Sequence, residues 1–432
     1  KEANNNADLI IFPGLCLTGS FFGCLNKQNA FLLDCEYYAQ KIIKASNNIA
    51  VIFGSIATDD ATNEIFIAAY NGELIDKQPV LTFSAKSPNK PFALNFSGNI
   101  VRLLITDITS SVEFDFSQPD ISADYDLLIN MSSVPFAINR NKKRHDILSY
   151  HARNTAKPVI AVNNIGIQNT GKVVYIYDGC STAYNKDGNP AAYCEPFLNG
   201  IEYFDTDTHD ICNRPFKNET ESVFNALSYG IKQFLQMIQM KKVVIGASGG
   251  IDSAVAAALY THVLGAENVL IANMPGQHTS STTQCLAAQL ASNLGCPYMV
   301  VPINESVDST IRQVSSTPVQ RPDGSTFYLE ITPFMIENVQ ARDRSARILS
   351  ILSASFGGGF TCNANKSETT IGYSTLYGDQ AGFLAALADL WKYRIYEMAD
   401  YINLTVFKRE IIPQKTIDIK PSAELSPAQA VD

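Results

Sequence analysis

Short apolar runs rich in β-branched residues recur along the first half of the chain, each closed by a polar turn: 9–12, 49–53, 101–106, 127–130, 159–163 and 173–177. Such runs predict strands. Longer mixed stretches around 31–46 and 141–156 predict helices. The dipeptides Asn71-Gly72 and Asp187-Gly188 separate apolar runs in the manner of hairpin turns. Strands interleaved with helices imply an α/β layered domain. A polar stretch from about 204 to 221 then interrupts the pattern, and a different one follows. An amphipathic helix at about 220–239 precedes a strand at 242–246, a Gly-rich turn, a helix at 252–264, a strand at 268–274, a helix near 280–294 and a strand at 298–303. That βαβαβ alternation predicts a parallel, doubly wound sheet. Residues 314–330 read as a loop or hairpin around Pro322-Asp323-Gly324, and helices dominate the remainder. The expected organisation is a first domain over 1–205, a linker over 206–222 and a second domain over 223–432.

Length agrees with two domains, since 432 residues exceed what one ordinary core accommodates. A net charge of −9 argues against non-specific nucleic-acid binding, while leaving room for a local basic pocket. No run of about 18 uncharged apolar residues appears, so no membrane-spanning helix is expected. The start of the chain also lacks the charged-then-apolar pattern of a signal peptide. The 9 cysteines are odd in number, scattered and free of any CxxC pair. They read as buried, reduced thiols of a cytoplasmic protein, with no zinc site.

The strongest local motif is Ser248-Gly249-Gly250-Ile251-Asp252-Ser253, between a predicted strand and a predicted helix. Such a junction offers free backbone N–H groups and the positive end of a helix dipole to an anion. Gly249 and Gly250 let the backbone approach phosphate oxygens, Ser248 and Ser253 add hydroxyl donors, and Asp252 can hold Mg²⁺. Neither GxxxxGK[ST] nor GxGxxG is present, which removes support from γ-phosphoryl transfer. The arrangement resembles the PP-loop of enzymes that split ATP into AMP and pyrophosphate.

From 337 to 392 polar residues crowd among Tyr, Phe and Gly. Arg342, Arg344 and Arg347 lie on one predicted helix, with 344 and 347 sharing a side by their spacing. Glu368 can be a second magnesium carboxylate. Together with the PP-loop, the segments Asn338-Val339-Gln340-Ala341-Arg342, Asn365-Lys366-Ser367-Glu368, Gly372-Tyr373-Ser374-Thr375-Leu376-Tyr377-Gly378-Asp379, Lys392 and Pro421-Ser422-Ala423-Glu424-Leu425 resemble the NAD synthetase family across 223–432. The resemblance implies Mg²⁺ at Asp252 and Glu368. It implies ATP contacts from Ser248, Gly249, Gly250, Asp252, Ser253, Met274, Arg344, Lys392 and Ser422. Asn338, Arg342, Glu368 and Asp379 would face deamido-NAD, the substrate whose nicotinate carboxylate is adenylated and then amidated. Catalytic roles fall to Asp252, Glu368, Lys392 and Arg344. A homo-oligomer, a dimer or larger, is implied as well. The rivals are another PP-loop amide ligase and a non-catalytic paralogue.

The first half is similar to the nitrilase-like glutaminase domain of glutamine-dependent NAD synthetases, an α-β-β-α sandwich. The matching stretches are Asp8-Leu9-Ile10-Ile11-Phe12-Pro13, Leu15-Cys16-Leu17-Thr18-Gly19, Asn130-Met131-Ser132-Ser133-Val134-Pro135-Phe136 and 153–178. Such domains hydrolyse glutamine with a Glu–Lys–Cys triad. Here Gly14 stands where the Glu is expected and Thr106 where the Cys is expected. Lys86 is the sole candidate remnant. Cys16 and Cys180 are the nearby thiols. The expectation is a pseudo-glutaminase domain kept for packing or assembly, beside a synthetase that takes free ammonia, or ammonia from another protein, rather than glutamine. Relative to that family the chain is short at its start and stops soon after residue 425, so further segments outside this sequence are expected.

Overall fold

The computed structural model describes residues 7–21, 23–57, 64–80, 90–96, 99–107, 124–171, 173–213, 217–422 and 424–426. The chain divides into two units, 1–222 and 223–432.

Unit 1 holds strands β1 (Leu9–Ile11), β2 (Ala50–Ile56), β3 (Glu64–Tyr70), β4 (Glu73–Pro79), β5 (Phe92–Phe96), β6 (Asn99–Thr106), β7 (Leu127–Ser132), β8 (Val159–Asn163), β9 (Ile165–Asn169), β10 (Val174–Asp178), β11 (Thr182–Tyr184) and β12 (Pro190–Tyr193), with helices α1 (Asn29–Ala45) and α2 (Arg140–Thr155). One sheet runs β1-β2-β3-β4 and a second runs β12-β11-β8-β7-β6-β5. Side chains alternate across a strand, so each sheet offers two apolar faces. Ala50 and Ile52 of β2 pack with Leu103 and Ile105 of β6 and with Leu127, Ile129 and Met131 of β7, which seals the two sheets together. The intervening Val51 and Phe53 face Ala39 and Ile43 of α1. Leu104 and Leu128 face Ile147, Leu148 and Ala152 of α2. The four layers are therefore helix, sheet, sheet, helix. Asn71 and Gly72 both take positive φ, 52° and 80°, in the turn joining β3 to β4, as a two-residue hairpin of this hand requires. Asp187-Gly188 likewise lies between the antiparallel β11 and β12.

Unit 2 opens within α3 (Glu219–Met237), whose first turn lies before the boundary, and continues with β13 (Val243–Gly246), α4 (Ile251–Leu264), β14 (Val269–Asn273), α5 (Ser281–Leu294), β15 (Tyr298–Val300) and α6 (Asn304–Ser316). A small hairpin of β16 (Val319–Gln320) and β17 (Thr326–Phe327) follows, with Gly324 at its turn. Next come α7 (Pro333–Arg342), α8 (Ser350–Phe356), β18 (Gly359–Phe360), α9 (Lys366–Ile371), α10 (Lys392–Tyr401) and α11 (Gln414–Asp418). The sheet order is β15-β14-β13-β18, parallel throughout. Strand order reverses beside β13, and the ends of β13 and β18 flank the crevice where doubly wound folds bind ligands. β18 is absent from the hydropathy pattern; at two residues, one of them glycine, it carries no alternation to read.

Two expectations need correction. Residues 343–349 form a π-helix, whose wider turn breaks the three-residue alignment of Arg344 with Arg347. The cysteines are all free, as expected, but Cys16, Cys24 and Cys285 are exposed, and only Cys35, Cys180, Cys296 and Cys362 are buried. Among the described residues no helix is long and apolar enough to cross a membrane.

Candidate functional site

In unit 2 the site is built at the end of β13. Four apolar residues of that strand are followed by the turn 247–250, whose geometry depends on glycine at one position above all. Gly249 has φ +88°, and a Cβ there would run into the Thr283 carbonyl of α5, so any other residue would be both strained and clashing. The turn is tied by its own serines. The Ser248 and Gly250 amides donate to Ser253 Oγ (3.3 Å) and Ser248 Oγ (3.2 Å), and Ser253 Oγ donates to the Gly250 carbonyl at 3.0 Å. The N-terminus of α4, whose first N–H groups have no partner within the helix, thereby points into the crevice.

Asp252 lies in the first turn of α4. Its Oδ1 accepts from Asn365 Nδ2 at 2.8 Å, and its Oδ2 is ion-paired with Lys392 Nζ at very short range. Asn365 is the N-cap of α9 and shares a capping box with Glu368: each side chain takes the other's backbone N–H. Glu368 Oε1 is 3.9 Å from the same Lys392 Nζ. Lys392, in turn, is fixed at the start of α10 by its amide donating to Ser367 Oγ at 3.1 Å. Two carboxylates from distant parts of the chain thus converge on one ammonium. Burial, and next the charge of Asp252, push the Glu368 carboxyl above its ordinary value, the strain expected of like charges close together.

The remaining predicted residues are spread around this centre. Arg344 Nε donates to the Met274 carbonyl at 3.0 Å, and burial pushes its guanidinium down to about 10, still protonated at neutral pH. The Met274 side chain belongs to the core with Val244 and Ile348, so only its backbone is turned to Arg344. Arg347 points elsewhere, pairing with Asp343 at 2.7 Å. Arg342 is exposed and donates from Nε to the Leu376 carbonyl. Asp379 Oδ1 accepts from the Thr375 amide at 2.7 Å, bracing the 372–379 turn. Asn338 donates back to the Phe334 carbonyl of its own helix, and Ser422 Oγ accepts from the Glu424 amide at 3.2 Å. The structure thus brings together Asp252, Glu368 and Lys392 directly, while Asn338, Arg342 and Asp379 lie along α7 and the 372–379 turn.

Two contributors carry no role in the sequence reading. Asn365 orients Asp252, as above. Glu424 is buried, accepting from Thr283 Oγ1 at 2.7 Å and from the Ser280 amide at 3.3 Å. The chain's last described segment is thereby fastened to the start of α5, beside the turn that carries Gly249. Both residues sit inside quoted motifs, and only the fold reveals what they hold.

In unit 1 the positions expected to carry a triad are laid out differently. Gly14 is buried, and Thr106 ends β6, buried beside β7 with Asn130 as its register partner. Lys86 lies outside the described residues. Cys180 is buried in a positive-φ conformation. Cys16 is exposed as a residue, yet its sulfur turns inward to donate to the Gly54 carbonyl, and burial pushes the thiol up to about 11. A thiol with so high a pKa is a poor source of thiolate.

Comparisons with known proteins agree with this architecture. Residues 223–432 match the NAD synthase family model. The glutamine-dependent NAD(+) synthetase of Thermotoga maritima is 28% identical, the alignment covering 99% of this chain and 80% of that protein. That of Synechocystis sp. is 31% identical over 72% of this chain, but the match spans only 53%, about half, of that relative's length. Among solved structures, the glutamine-dependent NAD+ synthetase of Acinetobacter baumannii in complex with ADP superposes with a TM-score of 0.78 at 24% identity, over 96% of this chain and 79% of that one. Residues 223–432 are therefore a domain of the NAD synthase family, carried in a chain whose fold over nearly its whole length is that of the two-domain glutamine-dependent NAD+ synthetases.

Proposed function

We propose that this chain is an NAD synthetase that amidates deamido-NAD at the expense of ATP, with free ammonia as its nitrogen source. The observation that carries the reading is the convergence of Asp252, Glu368 and Lys392 at the end of β13, beside a glycine turn at a helix N-terminus. The Gly249–Gly250 amides and the start of α4 suit a polyphosphate. Arg344 and Lys392 supply positive charge for the pyrophosphate that leaves when the nicotinate carboxylate attacks the α-phosphorus. The carboxyl group so adenylated is attacked by ammonia, which expels AMP and forms the amide. The donor set of two carboxylates, one held above its ordinary pKa by burial and then by its neighbour, fits a divalent cation. Mg²⁺ held by Asp252 and Glu368 would neutralise phosphate charge. Asn365 keeps the Asp252 oxygens oriented, and Asn338, Arg342 and Asp379 face the dinucleotide.

Ammonia rather than glutamine is favoured by unit 1, where Gly14 has no basic group and Thr106 has a hydroxyl in place of a thiol. The direct test incubates the purified chain with deamido-NAD, ATP, Mg²⁺ and ammonium chloride and follows NAD and pyrophosphate. Both products in equal amounts are expected. Absence of both would set the proposal aside.

A further inference from the structure

The space that a side chain at position 14 would fill in unit 1 is already occupied. Glu64, the first residue of β3, reaches into it. A Cβ built on Gly14 would overlap Glu64 Oε1 and lie 3.2 Å from the carbonyl carbon of Ser132 at the end of β7. That oxygen is shut off from solvent and has no hydrogen-bond partner among the described residues. Buried polar atoms are nearly always paired, so an orphan carboxyl oxygen calls for a reason. Two neighbours locate it further. Asp107, which directly follows Thr106 at the end of β6, is near enough for its charge to raise the proton affinity of Glu64. Glu64 does the same to the Cys16 thiol, two residues beyond Gly14. The carboxyl therefore sits beside Gly14 and the end of β7, with Cys16 and Asp107, the residue after Thr106, within reach of its charge.

We propose that Glu64 is a relocated proton acceptor for hydrolysing a carboxamide, taking over from β3 the task that residue 14 cannot perform, so that of the two altered positions, 14 and 106, the nucleophile's is the one left without a replacement. This rests on the reading of unit 1 as a glutaminase relative. Burial, and then Asp107, bring the carboxyl up to about 7, the range in which a general base works best at neutral pH. In the step implied, the X–H group at position 106 adds to the amide carbonyl, and its proton passes to Glu64. As the C–N bond breaks, Glu64 returns that proton to the nitrogen and ammonia leaves. Water then attacks the acyl group and loses a proton to Glu64, and the bond to X breaks. X takes the proton back, so that the sum is amide plus water giving carboxylic acid plus ammonia. With the Thr106 hydroxyl as X the first addition is slow, and the thiol of Cys16 is held protonated.

The test installs a thiol and asks whether Glu64 serves it. All variants carry Cys16→Ser, so that a gain comes from position 106 alone, and glutamate release from glutamine is measured without ATP or deamido-NAD, independently of unit 2. Thr106→Cys is expected to raise hydrolysis at least 100-fold over the Cys16→Ser parent, and adding Glu64→Gln to remove at least 100-fold of that gain. Its pH profile should show a limb rising through neutrality that Glu64→Gln abolishes. A folded Thr106→Cys protein that is inert, or one equally active with Gln at 64, would overturn the proposal. If Thr106→Cys lowers the melting temperature sharply, Thr106→Ser with p-nitrophenyl acetate provides the second arm. Its hydrolysis should fall at least tenfold with Glu64→Gln, and an unchanged rate would equally overturn the proposal.

Discussion

The ends of the parallel strands in the two units carry opposite arrangements. At the end of β13 every charged group has a partner: Asp252 has Asn365 and Lys392, and Glu368 has its capping box. At the ends of β6 and β7 one carboxyl oxygen, that of Glu64, has none among the described residues, and the two positions that the resemblance makes reactive are a glycine and a threonine. Yet the layers of unit 1 are as completely packed as any in the molecule, with Ile52, Leu103, Leu128 and Ile129 at 0% exposure. The contrast teaches that a fold of this kind is held by its alternating apolar faces, which are indifferent to what the strand ends carry. Chemistry can leave while the architecture stays.

The largest effect is expected at Lys392. Lys392→Ala should lower ammonium-dependent NAD formation by about 100-fold, roughly 3 kcal/mol of transition-state stabilisation. Glu368→Gln should act in the same direction. The rate of NAD formation at saturating ammonium checks both, and a variant that keeps full activity would remove Lys392 from the site. Gly249→Ala is next. The φ of +88° and the Thr283 carbonyl in the way make a cost of about 2 kcal/mol or more, seen as a lower melting temperature together with lost ATP binding.

Glu64 supplies a pH dependence of comparable size. Its carboxyl rises from the ordinary 4.5 to about 7 in the folded chain. Folded protein therefore holds a proton that the unfolded chain releases. The stability this contributes is complete below pH 4.5 and is lost as pH climbs through 7, by about 2–3 kcal/mol over the window. Asp107 favours the protonated form, and Cys16, its thiol pushed up to about 11, stays neutral across this window. Denaturant melts at pH 4.5 and 8 should show this loss in the wild type and not in Glu64→Gln. The smallest effect belongs to Arg347→Ala, whose partly exposed pair with Asp343 is worth about 0.5 kcal/mol or less. It should leave NAD formation unchanged, in contrast with Arg344→Ala.

Much of the fold is legible in the sequence, for physical reasons. β-branched runs, Asn-Gly and Asp-Gly turns, and the Gly-Gly junction after an apolar strand act locally, so they can be read without knowing the fold. Asp252, Glu368 and Lys392 stand out because their motifs are polar islands in apolar surroundings. What escaped depends on distance through space. The widened helix at 343–349 hides in a sequence that fits α spacing equally well, because hydrogen-bond register is not a property of composition. Glu64 belongs to no motif in the sequence and gains its meaning only when the fold lays it over Gly14. Glu424 shows its partners only once the last described segment is placed against α5.

The ligase proposed here takes its nitrogen from free ammonia and not through unit 1. The most direct measurement compares NAD formation from deamido-NAD, ATP and Mg²⁺ with ammonium chloride or with glutamine as the nitrogen source. Product with ammonium and almost none with glutamine is expected. Equal turnover with glutamine would contradict it, showing that unit 1 still delivers ammonia despite Gly14 and Thr106.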